Sequence, residues 1–181
     1  MYWENIPGMF TFQLLYGNMV HKFPSGSTFV EIGAWKGRSA VFMAERIKES
    51  GKKFDFYAID PFDGAGGGYE NDPDVKNNSL FETYQSNIEP VKSYIQTLKG
   101  FSYEVVDQFE DESIDFLFID GDHRYEGIKR DLEDWDIKVK HGGVIAGHDY
   151  NEPSAGVKRA VDEYFSFEAK PYQGGCWYLE K

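Results

Sequence analysis

Apolar and polar positions along the chain fall into two alternating patterns. Short apolar runs that end in an acid or a glycine occupy residues 28–32, 54–59, 114–119 and 143–146, as buried strands do. Between them apolar residues recur at helical spacing. Ala40, Val41, Ala44 and Ile47 form one such stripe, closed by Gly51, and Ile128, Leu132, Trp135 and Val139 form another. Residues 80–88 predict a helix and 91–98 a further strand, while Val157, Ala160, Val161 and Tyr164 repeat as one more helix. Alternating strand and helix predicts an α/β fold around a mostly parallel sheet, with helices on both faces. Over 165–181, two extended aromatic stretches flank Gly174-Gly175, which predicts an antiparallel hairpin at the sheet edge.

Two segments stand outside the alternation. Residues 1–26 carry Phe12, Leu15, Tyr16 and Met19 on one face of a short helix, expected to pack on a single domain formed by 27–181. Residues 61–78 are rich in glycine and poor in core-forming side chains, so they predict a flexible loop placed to act as a lid.

Composition narrows the function. The 181 residues suffice for one domain with a real core. A formal charge of -12 disfavours nucleic acid as a partner, because such a surface repels phosphate backbones. The lone Cys176 excludes an internal disulfide framework and suits a reducing compartment. With neither an export signal nor an apolar run long enough to span a bilayer, the expectation is a cytoplasmic protein with no membrane partner.

Ligands of open α/β sheets bind beyond the carboxyl ends of the strands, and here each of those ends carries an acid. The first strand contains Glu31 and runs through Gly33, Trp35, Gly37 and Ser39 into a helix. The second ends in Asp60, the third in Asp120-Gly121-Asp122-His123, and the fourth in His148-Asp149. Gly33 and Gly37 allow a tight turn against a ligand, and Asp60 stands where a carboxylate can accept both ribose hydroxyls. The loop lacks the GxGxxG spacing of a pyrophosphate site and the lysine of a P-loop, so a nucleoside without phosphates fits it better than NAD or ATP. The simpler alternative is a pair of strand-ending glycines followed by an Asp-Pro turn. Asp120, Asp122, His123, His148 and Asp149 form a second constellation. Carboxylates at neighbouring strand ends chelate a hard cation such as Mg²⁺, and an imidazole beside it can take a proton from an acceptor hydroxyl. The competing view has Asp122 capping the next helix and His148 satisfied in the core.

EIGAWKGRSA, AIDPFDG, LKGFS, IDFLFIDGDHRYEGIKRDLEDW, GGVIAGHDY and GVKRAVDEYF together resemble class I S-adenosylmethionine-dependent methyltransferases. Within that group the resemblance is nearest to metal-dependent small-molecule O-methyltransferases of the macrocin and mycinamicin sugar type, and more distant to catechol O-methyltransferase. It covers residues 27–165 and implies a Rossmann-like fold with S-adenosylmethionine and Mg²⁺ as cofactors. By the same resemblance Glu31, Gly33 and Ser39 line the methionine end, Trp35 flanks it, Asp60 holds the ribose, and Ser102 lies near the adenine. Asp120, beside the sulfonium, and Asp149 become metal ligands and His123 the general base. The usual adjacent pair of acids is replaced by His148-Asp149, which makes His148 a candidate ligand, and Phe101 stands where many relatives have Asp. The expected reaction is O-methylation of a sugar or aromatic hydroxyl by a chain that can self-associate. The alternatives are a metal-independent or inactive nucleoside-binding module and a glycosyltransferase using Asp120-Gly121-Asp122 as a DxD motif.

Overall fold

The computed structural model describes residues 2–65, 69, 71–151 and 155–181. Seven strands form one sheet: β1 (Thr28–Ile32), β2 (Asp55–Asp60), β3 (Gln96–Lys99), β4 (Ile114–Ile119), β5 (Val139–Gly147), β6 (Lys170–Tyr172) and β7 (Cys176–Glu180). Their order is β3-β2-β1-β4-β5-β7-β6. The first five are parallel, and β7 enters antiparallel to β5 with β6 paired on its outer side. The expected α/β sheet and C-terminal hairpin are therefore present.

Strand β4 shows why the sheet is buried on both sides. Phe116 and Phe118 point to one face and Leu117 and Ile119 to the other, and all four are almost completely enclosed. The aromatic face packs under α1 (Gln13–Lys22), α2 (Arg38–Ser50) and α4 (Leu80–Ile88), with Phe12, Tyr16, Met43 and Tyr84 in one cluster. Opposite, α6 (Tyr125–Trp135) and α7 (Ala155–Tyr164) bring Ile128, Leu132, Trp135 and Val161 against the aliphatic face. Two short helices, α3 (Pro73–Lys76) and α5 (Ser102–Val105), follow β2 and β3. The helices after β1 and β4 leave on opposite faces, so the adjoining strand ends open a crevice between them.

Two element boundaries differ from the sequence expectation. Val91 lies in a 3-10 run, Glu89–Tyr94, and β3 begins only at Gln96. Pro90 opens that turn, and Val91 and Ile95 reach the core four residues apart, a spacing shared by a strand face and a helical turn, so the apolar pattern alone does not separate them. Val139 continues the apolar period of α6, yet the helix stops at Trp135 and Val139 opens β5 opposite Ile114. Among the described residues no helix is long and apolar enough to cross a membrane.

Candidate active site

The loop after β1 is shaped by its glycines. Gly33 has a φ of +95°, and a Cβ there would overlap the backbone carbonyl of Asp120. That contact lets β1 and β4 meet at the crevice floor, where the Asp120 amide donates to the Ile32 carbonyl at 2.8 Å. Gly37, also left-handed, starts α2. Asp60 braces the loop from the next strand end: one carboxylate oxygen accepts the Trp35 amide at 2.7 Å and the other the Phe62 amide at 2.6 Å. Burial pushes the Asp60 carboxyl upward, against these amides, which favour the charged form. Each oxygen keeps a lone pair for a further donor.

Glu31 and Gly37 lie behind the cavity wall; the wall itself includes Gly33, Trp35, Ser39, Asp60, Ser102 and Asp120. The Ser39 hydroxyl donates to Glu31. Burial pushes the Glu31 carboxyl up to about 8, so it is mostly a neutral acid at pH 7. Glu31 is thus placed to support the loop from beneath, and its acid character was legible in the sequence while its depth was not.

The ends of β4 and β5 hold two acids and two imidazoles. His123 lies between the acids, with Nε2 3.4 Å from Asp120 Oδ1 and Nδ1 3.3 Å from Asp149 Oδ2. His148 Nδ1 lies 3.7 Å from Asp120 and 3.6 Å from Asp149. Asp149 takes a left-handed φ of +59°, a conformation uncommon outside glycine, to turn its carboxylate toward this group. Burial opposes charge on both imidazoles, but the neighbouring carboxylates outweigh it and raise both. Burial raises Asp120, with His123 and His148 pulling the other way. Asp120, His123 and Asp149 each offer a ligand atom within 4.8 Å of the others. His123 Nε2 is buried without a hydrogen-bond partner.

His148 is oriented from its far side. Its Nε2 lies 2.9 Å from the Gly174 carbonyl and 2.9 Å from Thr11 Oγ1, whose own proton goes to the same carbonyl at 2.6 Å. A carbonyl only accepts, so Nε2 carries hydrogen, and in the neutral ring the Nδ1 lone pair faces the two acids. Asp122 lies apart from this group. It is held by the Arg124 amide at 3.0 Å and the Arg124 guanidinium at 2.8 Å, in the turn that leads into α6.

These groups border one cavity of about 460 Å³. Its lining includes Met9, Phe12, Trp35 and Tyr69, with Trp35 and Tyr69 stacked at 4.6 Å between ring centroids. Sequence reasoning passed over Lys36, whose buried ammonium joins Asp72 at 2.9 Å and Asp74 at 2.7 Å and ties the glycine-rich loop to the β1 loop. Of the expected lid, Gly66–Gly68 and Glu70 lie outside the described residues. Asp131 was also missed. The signal available was an acid on the α6 stripe of Ile128, Leu132 and Trp135.

The sequence model of a family described as "Methyltransferase domain" matches residues 30–150. An uncharacterized protein of Acanthamoeba polyphaga mimivirus is 30% identical over 154 residues, covering 82% of this chain and 64% of its own length. An uncharacterized Sinorhizobium fredii protein is 24% identical over 155 residues, or 83% of this chain, which spans only 16% of that relative. Among solved structures, the O-methyltransferase NovP superposes with a TM-score of 0.70 at 21% identity, covering 93% of this chain and 78% of its own. CalS11, described as a TDP-rhamnose 3'-O-methyltransferase of calicheamicin biosynthesis, gives 0.62 at 17% over 93% and 76%. An O-methyltransferase from Bacillus cereus in complex with S-adenosylhomocysteine gives 0.61 at 17% over 93% and 78%. The glycine loop and the acids at successive strand ends lie within the matched region, and the chain belongs to the methyltransferase-domain family, with the class I fold of S-adenosylmethionine-dependent methyltransferases.

Proposed function

We propose that the protein transfers the methyl group of S-adenosylmethionine to a hydroxyl oxygen of a small molecule, with His123 as general base beside a divalent cation. The observation that carries this is the position of His123 between Asp120 and Asp149 at the ends of β4 and β5. Asp149 orients the ring through Nδ1, and Nε2 receives the acceptor proton. As the new O–CH3 bond forms, the S–CH3 bond breaks, leaving a methyl ether, S-adenosylhomocysteine and a proton on His123 that passes to solvent. Because attack on a sulfonium cancels charge, alignment of oxygen, methyl and sulfur supplies most of the rate gain. The braced loop at Gly33 and Asp60 serves that alignment, with Asp60 accepting ribose hydroxyls and Ser39 near the methionine end.

The donor set suits a cation. The two carboxylates lie within reach of both imidazoles: His123 completes the tightest group with them and is reserved here for the proton, while His148 Nδ1, 3.7 Å from Asp120 and 3.6 Å from Asp149, is fixed from behind by the Gly174 carbonyl, as outer partners fix ligating histidines. Asp120, Asp149 and His148 would hold the ion, Mg²⁺ in the first instance, which when bound supplies positive charge that favours the ionised acceptor hydroxyl. The aromatic side chains of the lining, together with the TDP-rhamnose named as the substrate of CalS11, support a sugar or aromatic acceptor. The glycosyltransferase alternative loses its motif, since Asp122 is spent on Arg124.

The test is methyl transfer from tritium-labelled S-adenosylmethionine to a panel of sugar and phenolic hydroxyls. Wild type should label an acceptor with Mg²⁺, lose activity in EDTA, and lose at least about a hundredfold in His123→Ala. Full activity of His123→Ala would overturn the base, and full activity in EDTA the cation.

A further inference from the structure

The two ends of the chain meet behind the histidine site. Thr11 stands just ahead of α1, 137 residues from His148 and 163 from Gly174 of the turn between β6 and β7. The Thr11 hydroxyl donates to the Gly174 carbonyl at 2.6 Å, and its oxygen lies 2.9 Å from His148 Nε2. That nitrogen is also 2.9 Å from the Gly174 carbonyl, so its single N–H is shared between two oxygens that are themselves bonded. The turn is closely seated. Gly174 is left-handed, with a φ of +76°, a Cβ there would overlap the Thr11 carbonyl, and the Gly175 carbonyl accepts the Tyr150 amide at 2.8 Å.

The neighbours of Thr11 belong to the cavity. Met9 and Phe12 line it, and the Phe12 ring sits 5.2 Å from the His148 ring. Met9 is 72% exposed, so the core does little to hold it in place. Met9, Phe10 and Phe12 have no side-chain hydrogen to donate, which leaves Thr11 as the one polar side chain tying this stretch to the strand ends. Thr11 is itself exposed, so its bonds can open locally to water.

We propose that Thr11 is a positioning residue for His148, through which the cation site and the N-terminal wall of the cavity stabilise one another; the proposal rests on the cation-assisted function above. Positive charge beside Nδ1 polarises the ring and makes Nε2–H a stronger donor, so the ring holds the Thr11 and Gly174 oxygens more tightly. In return, a docked Thr11 keeps the hydrogen on Nε2 and the Nδ1 lone pair turned to Asp120 and Asp149. The coupling is reciprocal. Whatever factor the docked segment adds to cation affinity, the cation adds to docking of residues 9–12. A purely structural Thr11 would stabilise the fold alike with and without a cation.

The experiment uses the full chain, with Mn²⁺ binding followed by electron paramagnetic resonance and hydrogen exchange read at the Tyr16 amide, which donates to the Phe12 carbonyl at 3.2 Å. Thr11→Val keeps the shape and removes the hydroxyl, so it should weaken Mn²⁺ binding by about tenfold, while Thr11→Ser should stay within about threefold of wild type. Saturating Mg²⁺ should slow Tyr16 exchange by about tenfold in wild type and change it by less than about twofold in Thr11→Val. Wild-type Mn²⁺ affinity in Thr11→Val, or equal slowing by Mg²⁺ in the two proteins, would overturn the role of Thr11. If Thr11→Val does not fold, wild type decides, since Mn²⁺ binding with no slowing at Tyr16 under Mg²⁺ would overturn the coupling. Failure of wild type to bind Mn²⁺ at all would overturn the cation reading and the proposal with it, an outcome distinct from binding without coupling.

Discussion

Lys36→Met removes one ammonium and keeps most of the aliphatic stem. The Lys36 side chain is 9% exposed, and its partners Asp72 and Asp74 are 16% and 27% exposed. A fully buried pair costs about 3–5 kcal/mol to break, an exposed one about 1 kcal/mol or less. The solvent around Asp74 places this latch between them, near 2 kcal/mol as an order of magnitude. Asp74 is held below the usual carboxylate range by its hydrogen bond to Lys36. Without the ammonium, Asp72 and Asp74 repel one another and turn toward water. The cost is met by local opening of the loop, because the sheet and its helices do not depend on this contact. About 2 kcal/mol corresponds to roughly a thirtyfold rise in the open population. Hydrogen exchange at the amides of α3 should therefore accelerate by about that factor while the Tm stays within about 3 °C. The cation–π contact of Lys36 with Trp35, 4.8 Å from the ring centroid, is lost as well, so acceptor KM should rise more than kcat falls. Exchange within threefold of wild type would refute the latch, and equal acceleration throughout the chain would show Lys36 to be a general stabiliser.

Glu31 gives a pH prediction. Its folded value near 8 lies above the ordinary 4.5, so the folded state holds the proton more tightly than the unfolded chain does. The resulting contribution is present at low pH and is lost as pH rises from about 4.5 through about 8. Glu31→Gln mimics the neutral acid, so it should flatten the stability profile over that window and exceed wild type by about 2–5 kcal/mol at pH 8.5, measured by urea unfolding. A mutant less stable than wild type at pH 8.5 would show that Glu31 is not buried as a neutral acid. His123 and His148 should separate the two tasks of the histidine site: His148→Ala should weaken Mn²⁺ binding, followed by electron paramagnetic resonance, by about tenfold or more, while His123→Ala should bind Mn²⁺ within about threefold of wild type. The opposite pattern would exchange their roles.

Four of the five parallel strands, β1, β2, β4 and β5, were legible because burial leaves apolar runs, and the acids at their ends were legible because ligands of such sheets gather there; β3, which is polar and half-exposed, was located less well. Val91 and Val139 were misplaced for one reason. Apolar spacing that runs across a chain reversal imitates the element on its other side, the strand ahead for Val91 and the helix behind for Val139, and only the turn at Pro90 or the pairing of Val139 with Ile114 separates the two. Within the site, Gly33, Asp60, Asp120, His123, His148 and Asp149 were each visible as residue types at strand ends. Invisible was the division of labour among them, since the Gly174 carbonyl that orients His148 lies 26 residues away and meets it only through the hairpin. Lys36 and Asp131 were hidden for a related reason. Their partners come from segments distant in sequence, so a lysine in a glycine loop and an acid in a helix show their burial only once the chain is folded.

The most direct test of a methyl-donor pocket at these strand ends is calorimetric titration of S-adenosylhomocysteine into wild type and Asp60→Ala, with Mg²⁺ present. The account predicts one site per chain for wild type and affinity reduced by about tenfold or more in Asp60→Ala, through lost ribose contacts and a loosened Trp35–Phe62 loop. No binding to wild type at millimolar ligand, or equal affinity in the folded variant, would contradict it.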